Sequence, residues 1–220
     1  MGSIVIDEQY EKCRKLLRES LSHKRYMHSL GVADTAACLA MRYGYDPRKA
    51  RLAGLLHDCA KGLDQKEMYE KVAGAGIEIS VMERDNPELL HSKAGSLVAR
   101  EKYDIEDEEI LSSIYWHTTG KPGMTLLEEI IFIADYIEPN RSAIPSLDEI
   151  RATAFTDIDK AVAMACRNSI EYLKRDSKQI DRITVDTYEY YDDRIMYDDD
   201  QGHRHNIYFM TGTVIVNELE

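Results

Sequence analysis

Residues 50–62 of the chain read ARLAGLLHDCAKG, a mostly apolar run that contains an adjacent histidine and aspartate, His57 and Asp58. The run has the composition of a buried helix. An unpaired carboxylate at the end of such a helix costs on the order of several kcal/mol to bury, so Asp58 needs a strong partner. A divalent cation held jointly with imidazole is such a partner, because histidine nitrogen and carboxylate oxygen together suit Fe, Mn or Zn.

A helical pattern continues on both sides of this stretch, from residue 7 to about residue 178. Asp46 and Pro47 have the character of an N-cap and a first-turn proline, and they predict a helix that runs through Ala60 and ends at Gly62. Further helices are predicted at 7–21, 23–43, 64–74, 88–102, 106–117, 125–138 and 157–175. The pattern therefore predicts an all-α bundle.

The end of the chain has a different composition. Residues 183–200 and 204–220 are rich in Tyr, Ile, Val and Thr, which are typical of strands, and DDDQGH lies between them as a plausible turn. We therefore predict an all-α domain at 1–180 and a C-terminal β-hairpin extension at 181–220. An isolated hairpin is marginally stable in water, so we expect this one to pack on the helical domain or on a partner subunit.

The charge of the chain disfavours one class of partner. The net charge is −12, with 28 Lys and Arg residues against 40 Asp and Glu residues. A protein that binds long nucleic acid usually presents a basic surface, so DNA and RNA are disfavoured. A small anionic substrate remains possible, because it needs only the local positive charge of a metal ion and a few basic side chains.

Other features of the chain favour a cytoplasmic protein. No apolar run approaches the roughly 20 residues of a membrane helix, and the N-terminus lacks the pattern of a signal peptide. The four cysteines lie far apart without a CxxC pair, which is typical of free thiols in a reducing compartment. We expect no membrane partner.

Four further residues have the properties of metal ligands. They are His28, His91, His117 and Asp135, and they lie in helical, mostly apolar stretches. A single buried histidine is more often a hydrogen-bonded core residue, and a single aspartate such as Asp135 more often caps a helix or forms a salt bridge. The ordered set of four histidines and two aspartates along one helical chain favours a shared metal site.

Basic residues accompany these candidates. Arg25 precedes His28 by three residues and Lys61 follows Asp58 by three, so each pair lies on one helical face. Arg141 follows Asp135 closely in sequence. These three side chains are candidates for holding phosphate oxygens, with solvent exposure or a surface ion pair as the alternative.

The motifs together resemble those of the HD-domain superfamily of metal-dependent phosphohydrolases. The stretches KRYMHSLGVADTA, LAGLLHDCAKG, LLHSKAGSLVA, IYWHTTGKPGMTLLEEIIFIADYIEPNR and DIDKAVAMACRNSIEYL are similar, more narrowly, to the YqeK family of bacterial hydrolases. Members of that family split diadenosine tetraphosphate symmetrically into two ADP. The resemblance covers about residues 7–178, and it says nothing of residues 183–220.

The resemblance implies a two-metal centre and a homodimer. The implied metal ligands are His28, His57, Asp58, His91, His117 and Asp135, with iron as the expected metal and manganese or zinc as alternatives. Asp58 would bridge the two metals, and it and Lys61 are the candidate catalytic residues. Arg25, Lys61 and Arg141 match positions that bind the substrate's phosphates.

Two other functions remain open. An HD phosphohydrolase could act on another nucleotide, such as a deoxynucleoside triphosphate or a signalling nucleotide, with the same ligand set. A regulatory nucleotide-binding module that has kept the fold is the alternative outside catalysis.

Overall fold

The structure is a computed structural model that describes residues 2–142, 144–194, 197–198, 204–210 and 213–218, with side chains from residue 7 to residue 194 apart from residue 143. The helices are α1 (Gly2–Ser20), α2 (His23–Tyr43), α3 (Pro47–Leu56), α4 (Gln65–Gly74), α5 (Val81–Asp85), a 3-10 helix (Pro87–Leu90), α6 (His91–Tyr103), α7 (Glu108–Trp116), α8 (Leu126–Ile137), α9 (Leu147–Ala154), α10 (Ile158–Arg175) and α11 (Arg182–Asp192). The prediction of a helical bundle is thereby confirmed. Among the described residues, no helix has the length and hydropathy required to span a membrane.

Helices α2, α3 and α8 pack against one another at the centre, and α7 packs on α3 and α8. Every residue of α8 from Leu127 to Ala134 is buried, as expected for a helix that is apolar nearly all round. Helices α2 and α3 approach closely at Gly54, where a Cβ atom would lie 3.0 Å from the Cα atom of Ala33. The last turn of α3 therefore lies against the middle of α2.

The helix predicted to run through Ala60 is shorter, because α3 ends at Leu56. Tight turns follow it, in which the Cys59 amide donates to the Leu56 carbonyl at 3.0 Å and the Lys61 amide donates to the Asp58 carbonyl at 2.9 Å. These bonds span three residues, as in a 3-10 turn, rather than the four of an α-helix. The pair His57–Asp58 thus lies just beyond the helix end.

The strand predicted at 183–200 is wrong over most of its length, because α11 occupies Arg182–Asp192. The Asp181 side chain caps this helix by accepting from the Ile183 amide. Thr187 and Tyr191, four residues apart, are both buried, and α11 packs along α10. Packing of this helical face overrides the strand propensity of the individual residues.

Short strands follow α11, namely β1 (Tyr197–Asp198), β2 (Arg204–Met210) and β3 (Thr213–Glu218). Their order is β1-β2-β3, and β2 pairs antiparallel with β3 so that Met210 faces Thr213. The predicted hairpin of 183–200 with 204–220 is therefore not the arrangement found. The division of the chain at residue 180 stays a prediction.

Tyr191 connects α11 to the helical core. Its hydroxyl donates to Glu129 Oε1 at 2.6 Å and accepts from the Met124 amide at 3.1 Å. Glu129 lies on α8 and is only 8% exposed. Burial raises the pKa of Glu129 to about 7, and the nearby Asp159 carboxylate adds to this effect. Glu129 therefore favours its protonated form below about pH 7 in the folded protein.

This carboxyl makes stability depend on pH. Glu129 holds its proton up to about pH 7 in the folded protein but ionises around 4.5 when exposed, so the folded state binds more protons between these values. The free energy of unfolding must then fall as the pH rises through this window. We expect thermal unfolding curves of Glu129→Gln to show a weaker fall in Tm than those of wild type and of Glu149→Gln, a control at an exposed site on α9. An identical pH dependence in all three proteins would contradict this assignment.

Candidate metal centre

The structure brings together all six side chains that the sequence predicts as metal ligands. They come from five places: His28 from the middle of α2, His57 and Asp58 from the turn after α3, His91 from the start of α6, His117 from the residue after α7, and Asp135 from the last turns of α8. All six are buried or half-buried and come from segments far apart in the sequence, so the cluster depends on how the bundle packs.

The four imidazoles form two pairs. His28 Nε2 lies 3.2 Å from His57 Nε2, and His91 Nε2 lies 3.2 Å from His117 Nε2. Asp58 lies between the pairs, with Oδ2 3.7 Å from His57 Nε2 and Oδ1 3.5 Å from His91 Nε2. Each carboxylate oxygen of Asp58 thus faces one pair of rings.

Asp135 adds a further oxygen close to the pair of His28 and His57. Its Oδ1 atom lies 3.0 Å from His28 Nε2 and 3.8 Å from His57 Nε2. One donor group therefore contains His28, His57, Asp58 and Asp135, and the second contains His91, His117 and Asp58. These two groups can each hold one ion, with Asp58 shared between them.

Backbone carbonyls determine which ring nitrogen carries the proton. Each bond runs from Nδ1 to the carbonyl three residues earlier: His57 to Gly54 at 2.8 Å, His91 to Glu88 at 2.7 Å, and His117 to Ile114 at 2.7 Å. A carbonyl oxygen only accepts, so Nδ1 must be the protonated nitrogen in each ring. In the neutral ring Nε2 then presents a lone pair, which is the form that binds metal.

The charge state of the rings fits a metal site. Burial lowers the pKa of His57 to about 4 and that of His91 to about 3, so both are neutral near pH 7. Burial also disfavours charge on His28, but the carboxylates of Asp135 and Glu138 outweigh it and raise its pKa. Nitrogen lone pairs and two carboxylates in one small volume repel one another unless a cation lies among them, so the donor set fits divalent metal.

Glu138 and Thr118 are site residues that the sequence analysis missed. Glu138 is 2% exposed, and its Oε1 atom lies 3.2 Å from His28 Nδ1. The burial argument applied to Asp135 could have identified Glu138, because it too follows an apolar helical run. Thr118 Oγ1 lies 3.1 Å from His91 Nε2, and nothing in the sequence signals this contact.

The three predicted phosphate-binding residues line the same cavity, of about 330 Å³, as the metal cluster. Arg25 Nη1 lies 3.1 Å from Asp58 Oδ2, and Arg141 Nη2 lies 2.7 Å from Asp135 Oδ1. Lys61 is half-buried, and burial lowers its pKa. Both arginines are thus held by the carboxylates of candidate metal ligands. Within the described part of the chain, the lysine ammonium has no salt-bridge partner at this site.

Comparison with known proteins identifies the family. The model of the HD domain family matches residues 25–140, just over half of the chain. The chain belongs to the HD domain family.

Within this family, the chain is similar to proteins named symmetrical bis(5'-nucleosyl)-tetraphosphatase. The one from Bacillus subtilis is 38% identical over 82% of this chain and 96% of its own length, and the one from Halalkalibacterium halodurans is 41% identical over 80% and 94%. The crystal structure of an HD superfamily hydrolase from Clostridium acetobutylicum, described as involved in NAD metabolism, is 42% identical. It superposes with a TM-score of 0.81 over 84% of this chain and 98% of that one. The resemblance drawn from the sequence is confirmed.

The shared position of Asp58 predicts how substitutions change metal content. Asp58→Ala removes a donor from both groups, so we expect it to lose all bound metal. His91→Ala weakens only the second group and should retain about one ion per chain, because the first group keeps its four donors. Elemental analysis of the purified variants measures this, with Asp148→Ala as a control because its side chain is 98% exposed. Full metal occupancy in Asp58→Ala would rule out the shared position.

Proposed function

We propose that this chain is a metal-dependent hydrolase that splits diadenosine tetraphosphate symmetrically into two ADP. The observation that carries the proposal is a cluster of six candidate metal-binding side chains, part of which lines one cavity together with three basic side chains. The named activity of relatives that match most of this chain supports the choice of substrate.

The proposed metal ligands are His28, His57, Asp58, His91, His117 and Asp135. When bound, two divalent ions offset phosphate charge and lower the pKa of a water molecule enough to supply hydroxide near neutral pH. Asp58 is the proposed bridging ligand, because its two oxygens face different histidine pairs. Glu138 orients His28 by accepting from its Nδ1 atom.

The proposed role of the basic residues is to bind and position the phosphate chain. Lys61 is the strongest candidate for the leaving phosphate, because its ammonium lines the cavity without a salt bridge to a described residue. Burial makes such a charge more effective, since water screens it less. Arg25 and Arg141 each keep N–H donors beyond those on Asp58 and Asp135, and these can reach phosphate oxygens.

The products determine which function is correct. We expect the metal-loaded protein to convert diadenosine tetraphosphate into ADP alone, because symmetrical cleavage breaks the central phosphoanhydride. Chromatography of the products from a panel of nucleotides tests this. Formation of AMP and ATP would contradict the symmetrical reaction. Preference for a deoxynucleoside triphosphate or a guanosine signalling nucleotide would favour the other hydrolase function, and absence of turnover would favour a regulatory module.

Lys61→Ala tests the phosphate contact apart from metal binding. The change removes a charge-assisted hydrogen bond, whose loss of about 1.5–3 kcal/mol corresponds to a fall in kcat/KM of about 10- to 150-fold. Metal content should not change, because Lys61 is not a proposed ligand. Lys66→Ala is the matched control, since Lys66 is 82% exposed on α4. Wild-type kinetics in Lys61→Ala would show that the ammonium does not act on the substrate.

Three further properties complete the proposal. Iron is the proposed metal, with manganese or zinc as alternatives, since each suits imidazole and carboxylate donors. The proposed location is the cytoplasm, which suits the four free cysteines. The proposed assembly is a homodimer, as in the family that the sequence resembles, and sedimentation of the full chain tests it.

A further inference from the structure

A second, larger cavity lies beside the metal centre. This side groove has a volume of about 840 Å³ and is lined by Ser169 and by some of the residues in segments 78–93, 115–119 and 173–184. The size falls within the range of about 300–1,000 Å³ that is usual for small-molecule sites. None of the proposed metal ligands or phosphate-binding residues lines it.

The side groove adjoins the metal cavity. Thr118 and Ser169 line both. Thr118 lies at the boundary between the two cavities and close to the metal cluster. Its hydroxyl is 3.1 Å from His91 Nε2 and 3.2 Å from His117 Nε2. A ligand whose phosphates lie in the metal cavity can therefore extend past Thr118 into the side groove.

Two aromatic side chains line the side groove next to this junction. Tyr115 and Trp116 are both half-buried, and their ring centroids lie 4.7 Å apart at an angle of 60°. Trp116 directly precedes His117, so the position of Trp116 in the groove depends on the position of the metal cluster. Aromatic side chains at such sites bind nucleobases by stacking, which every base permits because it has a π-face.

The charge of the side groove suits the neutral part of a nucleotide. Five carboxylates and two lysines line it, and one of these lysines, Lys93, is paired with Glu83 at 2.8 Å. This excess of negative charge disfavours phosphate, whereas carboxylates such as Glu88 can accept from ribose hydroxyls or an exocyclic amine. The metal cavity has the opposite character, with three basic side chains.

The chain after α10 forms one wall of the side groove. Lys178, Asp181 and Thr184 line it, and α11 holds this wall in place. The Thr187 hydroxyl lies 3.2 Å from the Thr119 carbonyl, and Gly120, at φ +64°, leaves no room for a Cβ atom beside Thr187. The groove is therefore formed before ligand binds, which lowers the entropic cost of binding.

We propose that the side groove binds one nucleoside of the substrate, with the base against Trp116 and the phosphate chain running past Thr118 to the metal cavity. The choice of a dinucleoside polyphosphate as the ligand rests on the proposed function. The groove then sets specificity, because it selects substrates that carry a base next to the phosphates.

Trp116 provides a direct probe, because it is the single tryptophan of the chain. ADP should quench its fluorescence saturably in the metal-loaded protein, whereas inorganic pyrophosphate should not. Equal effects of ADP and pyrophosphate, or no effect of ADP, would overturn the proposal.

Kinetics with groove variants tests the same point. Thr184→Phe narrows the groove without adding a tryptophan, and Trp116→Leu removes the stacking ring. Both should raise KM for diadenosine tetraphosphate about tenfold, with metal content and the inhibition constant of inorganic tripolyphosphate unchanged. Trp116→Phe, which keeps an aromatic ring, should retain most of the affinity for diadenosine tetraphosphate that Trp116→Leu loses. Glu189→Phe is the matched control, because Glu189 is exposed on α11 and does not line the groove.

The outcomes separate this proposal from the proposed function. If wild type splits diadenosine tetraphosphate but neither Thr184→Phe nor Trp116→Leu changes KM, the groove assignment is wrong and the function stands. If wild type does not split it, yet ADP quenches Trp116 and Thr184→Phe abolishes the quenching, the groove binds nucleosides and the function is wrong.

Discussion

Four imidazole Nε2 atoms and the carboxylates of Asp58 and Asp135 converge on one small volume, and the repulsion among them is the constraint on which the rest of the site depends. Two nitrogen–nitrogen distances of 3.2 Å are unfavourable for lone pairs in a buried place, so the arrangement is stable only with positive charge among the donors. Burial keeps the pKa of His57 and His91 low, so these rings do not supply that charge themselves near neutral pH. The folded chain therefore needs cations among these donor atoms.

Helix ends explain how three of the rings are aimed. His57, His91 and His117 each follow directly the last residue of a helix: α3, the 3-10 helix and α7. The last carbonyls of a helix lack partners within it, and here each ring's Nδ1 atom supplies one. The same bond orients the ring and sets its tautomer, so helix termination and ligand geometry have one cause. His28 differs, because it lies within α2 and depends on the buried Glu138 carboxylate instead.

The surroundings of the cluster divide by charge. Arg25, Lys61 and Arg141 line the cavity of the metal centre, whereas the adjoining side groove is acidic and carries Tyr115 and Trp116. A nucleotide has the same division between its phosphates and its nucleoside, which is why the two cavities together suit such a substrate. Helix α11 contributes to this arrangement, because it positions one wall of the side groove. The bond from Tyr191 to Glu129 anchors α11 to α8.

The sequence by itself determined the helical class, the six candidate ligands and the basic residues near them, because these depend on residue type and local periodicity. It placed Asp58 inside a helix that the structure ends at Leu56, and it assigned strand to residues that form α11. Both errors arise because propensity is local, whereas a helix end or a packed face is chosen by contacts distant in sequence. Only the tertiary structure decided the pairing of the rings, the position of Asp58 between them, the support from Glu138 and the side groove. Those features consist of distances between separate helices, which no local pattern specifies.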